Sequence, residues 1–77
     1  MTIYLVSDGR DVISACTEAG IRPFLRRRAA MITRDIEIDM RLDGKDPKAV
    51  VRYYASSDSS WLYNYPIRAM EVYGSDQ

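Results

Sequence analysis

In Ser7-Asp8-Gly9-Arg10-Asp11 two carboxylates stand directly behind a short apolar run. Carboxylates at the end of a strand can hold Mg²⁺ beside a phosphate, and a helix beginning there would attract the anion with its N-terminus. That would make a metal-dependent, phosphate-handling enzyme. The same residues serve more simply as a helix cap and a first-turn acid. No glycine-rich phosphate loop or dinucleotide pattern accompanies them. Histidine is absent from the 77 residues, so Ser-His-Asp and Cys-His nucleophilic systems are excluded in their usual form. Cys16 is the one cysteine, so neither an internal disulfide nor a structural zinc site is expected. Its place on an apolar stripe makes it a small buried hydrophobe rather than a reactive thiol. The expectation is a non-enzymatic chain with no catalytic residues, no metal and no cofactor.

Two other clusters point to binding. Arg22, Arg26, Arg27 and Arg28, with Arg34 nearby, form a basic segment. Guanidinium forks hold phosphates well, so consecutive arginines are a nucleic-acid contact in the making. Eleven basic residues balance eleven acidic ones, however. Net charge gives no pull toward a polyanion, and a nucleic-acid binder would have to segregate its charges locally. A solvated basic segment is the plainer reading. Asp35, Glu37 and Asp39 recur at period two and make an acidic row along one side of a strand. A solvent face explains that row unaided. Tyr53, Trp61, Tyr63 and Tyr65 sharpen the alternative, because Tyr and Trp are enriched where proteins bind proteins.

The elements that position these residues follow from patterning. Residues 3–6 are a first strand. Asp8 then caps a main helix over about residues 9–19, with Val12, Ala15, Cys16 and Ala19 at helical spacing and Gly20 as the stop. Pro23 opens a second, short helix through Ala30, the favoured reading over an extended run through Phe24 and Leu25 into the next strand. Strict alternation marks a strand over residues 32–42. A turn rich in Asp and Gly follows, then strands at 49–55 and 61–65 separated by a serine-rich loop. Pro66 suggests an edge or a bulge. Residues 66–73 fit a strand or a short helix, and residues 74–77 a frayed polar tail. The fold class is α+β: a small antiparallel sheet of about four strands with one main helix on one face, in the order β-α-(short helix)-β-β-β. Residues 1–77 form a single domain, since 77 residues support one core.

Five-residue loops in both hairpins would pair Met40 with Val50 and Tyr53 with Tyr63. One face then collects Ile36, Ile38, Met40, Leu42, Val50, Tyr54 and Leu62, ready to bury against the helix. The other collects the acidic row beside Val51, Tyr53, Trp61, Tyr63 and Tyr65. This register leaves Arg52 and Asn64 on the apolar face, and a one-residue slip in either hairpin would exchange that strand's faces.

The function expected from this surface is that of a non-catalytic protein-binding regulator or inhibitor. Its carboxylates would imitate nucleic-acid phosphates and occupy a basic surface of a protein partner. Small size and the lack of a family signature suit a phage- or mobile-element-encoded protein. A small nucleic-acid-binding protein built on the arginine cluster is the alternative. One cysteine, an N-terminus without a signal-peptide pattern and no apolar run of ~20 residues suit a cytoplasmic location away from membranes. Surplus aromatic surface and a sheet edge near residues 66–73 also suit a homodimer.

Overall fold

The computed structural model describes residues 1–56 and 58–73. The expected polar tail at 74–77 lies outside the described residues. The chain is α+β, with a five-stranded antiparallel sheet and one helix: β1 (Thr2–Ser7), β2 (Val12–Cys16), α1 (Glu18–Ala29), β3 (Ile36–Arg41), β4 (Lys48–Ser56) and β5 (Ser59–Glu71). Across the sheet the strands run β2-β1-β5-β4-β3.

The expected main helix at 9–19 is not formed. Asp8 does cap the following backbone, its Oδ1 accepting the N–H groups of Arg10 and Asp11 at 2.9 Å each. A hairpin follows instead of a helix. Gly9 takes φ +97°, a left-handed conformation that breaks any helix started at Asp8 and reverses the chain into β2. Val12 to Cys16 then pair antiparallel with β1.

The helix starts after Thr17 and absorbs the segment in which only a short helix was expected. Ile21, Leu25 and Ala29 repeat every four residues and bury together. Arg26, Arg27 and Arg28 in the last turn, and Glu18 in the first, complement the helix dipole. Gly20 does not end the helix. A Cβ there would lie 3.2 Å from the Cys16 Cβ, so the missing side chain lets the first turn close onto β2. Pro23 sits in the second turn, and the N–H it lacks would have reached the carbonyl of Ala19, an exposed residue.

β5 organises the sheet. Its first half, through Pro66, pairs with β4, and its second half, Ile67 to Glu71, pairs with β1. Pro66 sits at the handover and interrupts neither ladder. The edge expected near residues 66–73 is therefore occupied on one side by β1. The helix-bearing face collects Val6, Ala49, Val51, Tyr53, Tyr65 and Ile67, which form one core with Ile21, Leu25 and Ala29. Among the described residues no helix is long and apolar enough to cross a membrane.

Candidate functional site

The register of the first hairpin differs from expectation by one residue. Met40 faces Ala49, and Asp39 faces Val50. In the second hairpin Tyr53 faces Trp61 rather than Tyr63, a slip of two. Because side chains alternate with period two, the first slip exchanges faces and the second does not. Tyr53, Trp61, Tyr63 and Tyr65 thus stay together, on the face that carries α1. Glu37 and Asp39 lie on the opposite face, and Asp35 precedes β3. The expected surface of carboxylates beside aromatics is not formed.

On its open face the acidic row is also diluted. Glu37 stands across from Arg52 and accepts a 2.6 Å hydrogen bond from the Tyr54 hydroxyl. That bond pushes the Tyr54 phenol above its ordinary value. Asp39 pairs with Arg41 at 2.8 Å. Arg52 and Asn64, awkward on an apolar face, fall here in partial or full exposure.

The aromatic residues converge on an open groove of about 540 Å³ beyond the C-terminal end of α1, lined by Arg28, Met31, Ile32, Tyr53, Trp61, Tyr63 and Tyr65. β4 and β5 place the four rings at alternate positions of adjacent strands. The Tyr53 and Trp61 rings stack with centroids 5.5 Å apart, and Tyr63 meets Tyr65 edge-on at 4.7 Å. Tyr53 and Tyr65 form the buried floor, and their hydroxyls share a 2.6 Å hydrogen bond. Burial first, and then that bond, raise the Tyr53 phenol well above its ordinary value. The Tyr63 hydroxyl donates to the Asp8 carbonyl at 2.6 Å and ties the groove to the β1–β2 turn. Each ring is therefore held by a strand, by a neighbouring ring or by a named hydrogen bond.

The rim comes from the segment after α1. The Ala29 carbonyl accepts the N–H groups of Ile32 and Thr33, at 2.8 and 2.9 Å. The Thr33 hydroxyl donates to the Tyr54 carbonyl, which docks the segment onto β4. Met31 and Ile32 are left 93% and 65% exposed at the groove. Ile32 was expected on the buried parity of a strand beginning there, but β3 starts at Ile36. Met31 was not foreseen; the visible signal was an apolar pair between two elements with no periodicity to bury it.

The arginine cluster divides. Arg28 turns to the groove, where its charge also acts on Asp8. The Asp8 carboxyl is held below the usual range, chiefly by the N–H groups of Asp11 and Arg10. Arg26, Arg27 and Arg34 lie together near Ile36, and Arg22 donates to the Ile38 carbonyl at 3.0 Å. Among the described residues none of these five arginines forms an ion pair within the chain. No group of three or more Cys, Asp or Glu side chains is placed to hold a metal ion among the described residues.

No protein-family model, curated protein or solved structure matches this chain.

Proposed function

We propose that this chain is a non-catalytic protein-binding regulator or inhibitor that meets its partner through the groove beyond α1. The observation that supports this reading is the groove's make-up: exposed Trp61, Tyr63, Met31 and Ile32 around a fixed aromatic floor, with Arg28 at the rim. Trp, Tyr, Met and Arg are the residues enriched at protein interfaces, and Trp, Tyr and Arg dominate their binding energy. Rings already locked by stacking and hydrogen bonds lose little freedom on binding. The matching partner presents an apolar side chain to the rings and a carboxylate to Arg28.

The test is capture of partners from host lysate after nuclease treatment, with wild-type and variant chains side by side. A specific protein retained by wild type and by Glu37→Ser/Asp39→Ser, but lost with Arg28→Glu/Ile32→Ser, supports the groove. Loss with the acidic variant and retention with the groove variant overturns it.

A second reading rests on charge segregation. Residues 18–34 carry Arg22, Arg26, Arg27, Arg28 and Arg34 against Glu18 alone. That local excess suits phosphate contacts, and Arg28 beside exposed rings suits stacking of unpaired bases. It predicts binding to generic single-stranded nucleic acid that weakens steeply with salt and disappears when Arg26, Arg27 and Arg28 become Ala.

A further inference from the structure

We infer that two copies of this chain pair through the first half of β5, joining their sheets into one. The argument begins with backbone direction. Met1 and Val72 exchange hydrogen bonds, at 3.2 and 2.8 Å, so the even-numbered residues of β5 turn their N–H and C=O groups toward β1. The Ile67 N–H instead reaches the Pro47 carbonyl, so the odd-numbered residues turn toward β4. β1 pairs with β5 only from Ile67 to Glu71. On the β1 side of β5, Ser60, Leu62 and Asn64 therefore direct their backbone groups to an edge where, among the described residues, no strand pairs. Pro66 follows the same rule: its missing N–H falls on the β1 side, where pairing with β1 has just ended.

The side chains of this half-edge fit a second copy of themselves. Residues 59–66, Ser-Ser-Trp-Leu-Tyr-Asn-Tyr-Pro, contain no charge. Natural edge strands are usually guarded by charges, bulges or brevity. Here β3 is guarded by Glu37, Asp39 and Arg41, and β2 has five residues beside a register break at Val6 and Ser7. The β5 half-edge is bounded by a register break opposite Ser59 and Ser60 and by Pro66, but between them it carries no charge and presents Trp61, Leu62 and Tyr63, 41%, 54% and 41% exposed. An antiparallel two-fold pairing centred on Leu62 sets Leu62 against itself and Ser60 against Asn64. Each of these pairs exchanges both of its hydrogen bonds. Trp61 then faces Tyr63 across the new ladder, an aromatic cross-strand pair, with no like charges opposed. The same patch meets itself, as a two-fold interface requires. This pairing does not depend on the partner-binding reading of the groove.

Sedimentation and amide exchange across a concentration series test it. The expected result is a species of twice the 8.8 kDa chain mass. The N–H groups of Ser60, Leu62 and Asn64 should gain protection as concentration rises, while those of Trp61 and Tyr63 are already protected by β4. Leu62→Pro removes an N–H from the free edge and leaves the β4 ladder intact. Two-fold symmetry deletes two hydrogen bonds at once, so association should weaken by roughly 5- to 150-fold. Leu62→Lys sets like charges opposite one another and serves the same purpose if the proline variant unfolds. A chain that stays monomeric throughout overturns the proposal. So does a dimer that neither folded variant weakens, because that dimer uses another edge.

Discussion

One face of the sheet has two regions that differ in coverage more than in composition. Beneath α1, Val6, Val51 and Ile67 are closed over by Ile21, Leu25 and Ala29. Past the end of α1, Trp61 and Tyr63 stand on the same face, rimmed by Met31 and Ile32 but not covered by the helix, and each stays 41% exposed. Tyr53 and Tyr65 mark the boundary, buried yet joined by a polar bond. Where α1 stops thus decides which large side chains are core and which are surface. The groove is a part of the core-facing surface that the helix is too short to cover.

Substitutions can sharpen this division. Leu25→Ala, under the helix, is expected to destabilise by about 2–5 kcal/mol in urea unfolding. That is a large share of the about 4–11 kcal/mol available to a chain of this length. Tyr53→Phe, at the boundary, leaves the buried Tyr65 hydroxyl without its partner and should cost about 1–3 kcal/mol. Adding Tyr65→Phe should cost less than the sum of the two single changes, because both polar groups then leave together. Additive costs would show that the hydroxyl bond is not the shared term. Tyr53 also sets an alkaline limit. Its folded pKa lies above the ordinary 10.0, so its contribution is complete below that pH and is lost as the pH rises beyond it. The fall in stability above pH 10.0 should be shallower in Tyr53→Phe, with Tyr54 retaining a part of it.

Trp61→Ala, in the open groove, removes mainly the stacking with Tyr53 and should cost about 0.5–1.5 kcal/mol. Partner capture should nevertheless be lost. A destabilisation equal to that of Leu25→Ala would erase the distinction between the two regions. Arg28→Ala should change stability at neutral pH by no more than about 0.5 kcal/mol. Its effect appears at acid pH. Asp8, with its depressed pKa, contributes stability that is present above the ordinary 3.8 and lost as the pH falls through its folded value. Removing the Arg28 charge should begin that loss at a slightly higher pH.

The strands after residue 32 were legible because alternation records which face is buried. The α+β class was legible for the same reason. The first third was misread for a local reason. Asp8 accepts the N–H groups two and three residues on in the same way at a helix start and at the turn of this hairpin, so that chemistry does not say which will follow. Gly9 distinguished them, because Asp-Gly before a β-branched run favours a hairpin. Gly20 and Pro23 read as punctuation, yet tertiary contact at Cys16 and solvent at the helix surface let both stand inside α1. The aromatic set of the groove was legible as a row on one face. Its separation from the carboxylates was not, since it depended on one residue of loop length. Its rim was hidden because no periodic pattern reaches Met31 and Ile32.

The pairing of β1 with the end of β5 has a consequence for the order of assembly. Residues 2–6 must wait for residues 67–71 before the sheet can close. Until β5 has been synthesised, the hairpin of β1 and β2 has no central strand beside it, and the apolar side of α1 faces an unfinished sheet. Contacts so distant along the chain slow folding. Consolidation therefore waits for β5 to emerge, and the nascent chain before that point is the form most exposed to chaperones and proteases.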